Sequence, residues 1–340
     1  MKDKSCIKAI LIPPQIDKFC KIFDVKEKEL EVNFDGWHKH ILATTDTVFI
    51  FPRNPKYIKA LRKELDIYEE FTHLNFVPLP KLKKRVKDPE ISYYEFGAIT
   101  KLSGTAFSKF QKEIKSKQIE KFLLNLSKVV SIWHNIPTKE LPKMLEANSP
   151  TTGKLSINNW HKVALSPSRV DEAISFITGL IQKYSNDLAI RDATRKKWIE
   201  AIKEIACLKN VLIHGDIHED QVLVEASDSM KITGILDWES ARIDNPVWDF
   251  NFERWELDIW VWSDNFVQFR KEMWSTYLKE RKISLSTVHG LHLFFTLWEF
   301  TWLIKQRKEK EIAITKTDFE NSVKIYCDRL NEINKLIEKE

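Results

Sequence analysis

LIHGDIHEDQVLVEASDSMKITGILDWESARIDNPVWDF, residues Leu212 to Phe250, contains two short apolar runs, each next to an aspartate. Val222, Leu223 and Val224 form the first predicted strand. Ile232 to Leu236 form the second, after a polar turn at Ala226 to Ser229. His214 and Asp216 precede the first strand and Asp237 follows the second. A hairpin with one carboxylate at its entrance and another at its exit can aim both at one point. Phosphoryl transfer from a nucleotide needs such a pair. One carboxylate accepts the proton of an attacking hydroxyl, and the other holds the magnesium that bridges the phosphates.

The rest of the chain sets bounds on that chemistry. With 340 residues, 43% of them hydrophobic and 30% charged, it is long enough for two lobes with a sizeable core. The net charge of +5 comes from lysines and glutamates interleaved throughout. That pattern suits a solvated surface and not a nucleic-acid footprint; the short tract Lys81 to Lys87 reads as a loop. The four cysteines (Cys6, Cys20, Cys207, Cys327) include no CxxC pair, which argues against a zinc site and fits a reducing compartment. The N-terminal apolar run at Ala9 to Pro14 is broken by two prolines and does not read as a signal peptide. No apolar run approaches the roughly 18 residues of a membrane span. The expected location is cytoplasmic, with no nucleic-acid, membrane or protein partner.

Along the chain, Thr44 to Phe51 and Ser92 to Leu102 read as strands, and Tyr57 to Phe71 as a helix with a stripe at Ile58, Leu61, Leu65 and Tyr68. The second part is mainly helical: a face at Phe122, Leu126, Val129, Val130 and Trp133, then Glu172 to Tyr184, Arg191 to Cys207, and helices from about Phe250 onward. Asn148 to Ser156 reads as a loop. The predicted class is α+β.

A small strand-containing lobe, a helical lobe, and an HxD loop followed by a strand-borne aspartate resemble the kinase-like phosphotransferases, and most closely the aminoglycoside phosphotransferase family. GWHKHILATTDTVFIFPR (Gly36–Arg53) resembles that family's first hairpin and LRKELDIYEEF (Leu61–Phe71) its regulatory helix. FVPLPKL (Phe76–Leu82) and EFGAITKLSGTAF (Glu95–Phe107) resemble the approach to the hinge and the hinge itself, and LSKVVSIWHNI (Leu126–Ile136) the helix before the substrate-site insert. The resemblance implies a protein-kinase-like two-lobe fold, with a nucleotide-binding lobe over 1–100, a catalytic and substrate-binding lobe over 101–340, and a hinge at about 99–104. It implies ATP or GTP as co-substrate, Mg2+ as cofactor, and a small-molecule acceptor.

The resemblance also implies roles. Asp216 is the expected catalytic base; a loop aspartate capping a turn is the plain alternative. His214, on the same loop, is expected to orient it by hydrogen bonding. Asp237 is the expected metal ligand. Gln221 is a second, standing where the family usually has Asn, with its carbonyl one methylene further out. His218 and Glu239 are candidates for substrate contact. Thr100, Lys101 and Leu102 would meet the nucleotide base through backbone groups. Asp249 resembles a structural aspartate that braces the catalytic loop.

One position departs from the pattern. VFIFPR (Val48–Arg53) matches the family's VF(K/R)FPR, with Ile50 in place of the cation that clamps the nucleotide phosphates. Glu64 would be that cation's helix partner, now deprived of it. Either another cation such as Arg53 or Lys39 takes the role, or phosphate binding is weak. The second possibility motivates an alternative function, a catalytically impaired kinase-like module that binds or regulates a partner.

On the acceptor side, eight of the 12 tryptophans fall between Trp238 and Trp302, interleaved with Glu253, Glu256, Asp258 and Asp264. Carboxylates and indole faces suit a cationic, partly apolar acceptor such as an aminoglycoside. The same residues also fit a helix core with a solvated acidic face.

Overall fold

The computed structural model describes residues 10–11, 13–33, 38–73, 78–110, 114–145, 153–184, 190–250, 276–282, 287–309 and 315–337. They fall into two compact units. The first comprises 1–125, 142–144 and 214–241; the second comprises 126–141, 145–213 and 242–340.

The first unit is organised around an antiparallel sheet with the order β1-β2-β3-β5-β4. Its strands are β1 (Glu31–Asn33), β2 (Lys39–Ala43), β3 (Thr47–Pro52), β4 (Leu82–Val86) and β5 (Phe96–Thr100). A tight turn sets the β2–β3 register: Thr44 N–H donates to Thr47 O at 2.8 Å, and Asp46 Oδ1 accepts from both threonine hydroxyls. The pairing is then Lys39 with Pro52, Ile41 with Ile50 and Leu42 with Phe49. Side chains alternate between faces, so Leu42, Phe49 and Phe51 share one face, and Lys39, Ile41 and Ile50 share the other.

The first face packs on helix α1 (Pro13–Phe23) through Ile16 and Phe19. Phe19 meets Phe49 edge-on at 4.7 Å, and Phe51 stacks on Phe96 at 4.3 Å. Pro13 and Pro14, read above as the break in an apolar run, open this helix; its first turn has no intrahelical use for their missing N–H groups. The Lys81 to Lys87 tract is also corrected. It is not a loop but contains β4, an edge strand whose lysines discourage further strand pairing.

The opposite face meets helix α2 (Ile58–Glu70), which buries Leu61, Glu64, Leu65, Ile67 and Tyr68. Gly97 of β5 admits Leu65, whose Cδ2 lies only 2.3 Å from where a Cβ would stand. A second, three-stranded sheet joins β6 (Thr105–Ala106), β8 (Val222–Val224) and β9 (Ile232–Ile235), with β8 and β9 antiparallel as read from the sequence.

The second unit is helical: α4 (Trp160–Ala164), α5 (Val170–Ile181), α6 (Asp192–Ala206), α7 (Thr287–Glu309) and α8 (Lys316–Ile337), with the last part of α3 (Ser116–His134). A two-stranded pair, β7 (Val211–Ile213) with β10 (Arg242–Asp244), frames the hairpin in sequence. The buried tryptophans keep their N–H groups satisfied: Trp160 donates to Thr301 Oγ1 and Trp133 to Asp249 Oδ2, both at 2.9 Å. Asp249 Oδ2 also accepts a hydrogen bond from His134 Nε2 at 2.9 Å, while His134 Nδ1 accepts from the Tyr277 hydroxyl at 2.6 Å. No described helix is long and apolar enough to cross a membrane.

Helices α6 and α7 touch at Gly290, where a Cβ would lie 2.4 Å from the Ala201 carbonyl oxygen. Because the obstacle is backbone, Gly290→Ala should force the helices apart and cost about 1–3 kcal/mol in urea unfolding. A neutral substitution would contradict this close approach.

Candidate active site

Glu64 sits inside the apolar stripe of α2 with only 2% of its surface exposed. A carboxylate so buried needs a charged partner. It has one, although Ile50 cannot be it. Lys39 Nζ on β2 lies 2.6 Å from Glu64 Oε2, 2.5 Å from Asp237 Oδ1 and 3.0 Å from Glu239 Oε2. The expectation that Glu64 had lost its cation is therefore corrected. Ile50 is 4% exposed and lies on the Lys39 face of the sheet. Lys39 is offset from Ile41, Ile50's direct partner, by two residues along the neighbouring strand. A long side chain covers that diagonal step of about 7–8 Å. Arg53, the other candidate, continues the ladder with its backbone N–H on His38 O at 3.0 Å, and its side chain is exposed.

The cluster's charges explain its titration. Burial alone would lower the Lys39 pKa, but Glu64, Asp237 and Glu239 outweigh it and keep the ammonium protonated. Burial pushes Asp237 upward, and Lys39 more than reverses it, leaving a lowered pKa. Glu64 takes the remaining strain. Burial and the nearby Asp237 prevail over the pull of Lys39, and its pKa is pushed up to about 7. With one ammonium against three carboxylates, the pocket carries excess negative charge when all are ionised.

Asp237 lies two residues past the end of β9, in the left-handed region at φ 62° and ψ 57°. Asp tolerates that conformation better than most residues, at a modest cost. Tyr68 holds it there. Its hydroxyl donates to Glu64 Oε1 at 2.7 Å and accepts from the Asp237 N–H at 3.2 Å, so one phenol joins α2 to the aspartate's backbone. Read from the sequence only as part of an apolar stripe, Tyr68 gave no sign of this role.

His214 is fully buried. Its Nε2 donates to Leu236 O at 2.8 Å, its Nδ1 faces the Asp216 N–H at 3.4 Å, and its ring meets Trp238 edge-on at 4.8 Å. It thus ties the loop before β8 to the turn after β9. Asp216 follows Gly215, whose φ of 81° suits glycine, and is exposed. Gln221 is buried, accepts the Leu236 N–H on its backbone oxygen at 2.9 Å, and puts Nε2 3.5 Å from Asp237 Oδ2. Its Oε1 is buried without a hydrogen-bond partner. Turning the amide by half a revolution would bring that oxygen beside Asp237. In that orientation the amide oxygen and the carboxylate, in a pocket with surplus negative charge, would fit a hard divalent cation.

Of the other expected site residues, Glu239 joins the cluster. Glu239 is engaged by Lys39 and by His38 Nδ1 at 2.7 Å, and His38 stacks on Tyr57 at 4.3 Å. His218 Nδ1 faces the Asp220 N–H at 3.3 Å. Thr100 and Lys101 have their N–H groups on Lys81 O and Asp46 O, both at 2.9 Å. Neither can donate to a nucleotide base without breaking that bond. Leu102 packs over Gly234. Glu253, Glu256, Asp258 and Asp264 lie outside the described residues, as do Trp255, Trp260, Trp262 and Trp274. Trp238, by contrast, is buried core, with Nε1 on Ile235 O at 3.2 Å.

Solved structures of aminoglycoside and macrolide phosphotransferases match the fold over nearly the whole chain. The GDP and kanamycin complex of APH(2'')-IIia is 15% identical, covering 92% of this chain and 96% of its own, with a TM-score of 0.57. The apoenzyme of macrolide 2'-phosphotransferase MphH from Brachybacterium faecium is 16% identical, covering 93% and 97%, at 0.57. ADP-bound aminoglycoside phosphotransferase APH(2'')-Ib is 13% identical, covering 95% and 99%, at 0.53. No curated protein matches in sequence. The chain belongs to the phosphotransferase enzyme family, whose model matches residues 32–282.

Two measurements test the cluster. Tyr68→Phe leaves Glu64 Oε1 and the Asp237 N–H each short of a partner and should cost about 1–3 kcal/mol in denaturant unfolding; a neutral result would remove the phenol bridge. A carboxyl whose pKa is higher folded than unfolded favours the fold when protonated, and that advantage drains away as pH rises. Through Glu64, stability should therefore decline between pH about 4.5 and about 7. Glu64→Gln should flatten that decline, and an unchanged pH profile would contradict the assignment.

Proposed function

We propose that this protein is a cytoplasmic, magnesium-dependent small-molecule kinase that transfers the γ-phosphate of ATP or GTP to a hydroxyl. The observation that carries the reading is the buried Lys39–Glu64–Asp237 cluster, charged and intact despite Ile50. In the proposal, residues 1–100 bind the nucleotide and 101–340 carry the catalytic and acceptor groups. Asp216 orients the acceptor hydroxyl and takes its proton as the oxygen attacks. His214 holds that loop in place through Leu236. Asp237 and Gln221 would hold the magnesium ion, which supplies neutralising charge for the phosphates.

For the acceptor, we infer a hydroxylated, amine-bearing molecule of the aminoglycoside kind. The inference rests on the tryptophan- and acid-rich sequence that includes Glu253 and Glu256. It is supported by the aminoglycoside and macrolide phosphotransferases among the structural neighbours. The impaired-module alternative rested on a missing phosphate cation and loses its main support once a buried lysine is found beside Glu64 and Asp237.

Magnesium with ATP or GTP should raise the thermal midpoint, by about 2.7 kcal/mol of stabilisation at a hundredfold excess over Kd. Chelation should remove the effect. Asp216→Asn should keep nucleotide binding but lower turnover on an amino-alcohol or aminoglycoside panel by about 100-fold or more. A wild-type protein that neither binds the magnesium nucleotide nor phosphorylates any acceptor would refute the proposal.

A further inference from the structure

The register of the first sheet points to a relocated phosphate clamp: we infer that Lys39 on β2, not a residue of β3, contacts the nucleotide phosphates. The inference rests on the phosphotransferase reading above and deepens it. The position that matches the family's clamp on β3 is Ile50, buried and unable to donate a hydrogen bond. The helix carboxylate meant for that clamp, Glu64, is nonetheless held at 2.6 Å by an ammonium from the next strand. Lys39 and Ile50 project from one face, because Lys39 pairs with Pro52 and Ile50 with Ile41. The same ammonium reaches Asp237, the proposed metal ligand, at 2.5 Å. An ammonium paired to both the α2 carboxylate and the carboxylate that would hold the metal is placed to meet the phosphate oxygens of a magnesium nucleotide. Lys39 Nζ donates to Glu64 and Asp237, while Glu239 Oε2 at 3.0 Å is an ion pair without a hydrogen bond, so the third N–H is the one a phosphate oxygen would take. An incoming phosphate can displace Glu239, the most distant of the three carboxylates at 3.0 Å, while the Glu64 pair stays. Glu239 retains His38 Nδ1 at 2.7 Å. On this account Glu239 stands where a phosphate oxygen would meet Lys39, instead of binding the acceptor.

The test moves the lysine between strands. Nucleotide stabilisation and turnover are measured with magnesium ATP and magnesium GTP for wild type, Lys39→Met, and Lys39→Met/Ile50→Lys. Lys39→Met should lower turnover by about 100-fold or more and abolish nucleotide stabilisation, as expected for removing a charged donor from developing phosphate charge. Lys39→Met/Ile50→Lys, which returns the ammonium to the same face from β3, should recover at least about a tenth of wild-type turnover. If Lys39→Met does not fold, Lys39→Met/Glu64→Gln removes both buried charges and takes its place. Lys39 variants that keep wild-type nucleotide stabilisation would overturn the inference. So would an Arg53→Ala variant that loses as much as Lys39→Met, or a folded strand-swap variant with no recovery. Failure of the wild type itself to bind nucleotide would instead count against the phosphotransferase reading.

Discussion

A single buried ammonium organises this site. Lys39 sits among Glu64, Asp237 and Glu239 with 8% of its surface exposed. Taking four ionisable groups out of water is costly, and only short, well-aimed contacts offset it. Removing one partner from such a cluster strands the others and costs about 3–5 kcal/mol. That asymmetry fixes β2, α2 and the turn after β9 together, because β2 supplies the ammonium, α2 one carboxylate and the turn the other two.

The remaining geometry follows. Asp237 holds a left-handed backbone because its carboxylate must meet Lys39 while its N–H meets Tyr68. His214 then ties the Asp216 loop to Leu236, one residue before Asp237. The proposed base and the proposed metal ligand are thereby linked through one imidazole. Surplus negative charge and the unpartnered Gln221 Oε1 leave the pocket chemically incomplete in a way a divalent cation would satisfy. The raised Glu64 pKa reports the same imbalance.

Much of this was legible in the chain. The β8–β9 hairpin, its flanking aspartates and α2 all follow from apolar runs, turn residues and helical period. Lys39 could be named only as one candidate cation beside Arg53, because the family pattern directs attention to β3 and finds Ile50. Two local facts pointed elsewhere: a glutamate inside the apolar stripe of α2 requires a cation, and the turn at Thr44 to Thr47 sets a register that puts Lys39 on the Ile50 face. Strand β4 was hidden by its lysines, which reflect an edge position and not a loop. Helix α1 was hidden by Pro13 and Pro14, which sit where a helix tolerates them. Tyr68 could not be read as a bridge, since its hydroxyl partners come from residues far apart in sequence.

The most direct measurement is a crystal structure of the protein with magnesium and a non-hydrolysable ATP or GTP analogue. The account predicts Lys39 Nζ within hydrogen-bond distance of a phosphate oxygen and still paired with Glu64, with the metal on Asp237 and Gln221. Phosphates held by Arg53, with Lys39 remaining on Glu239, would contradict it.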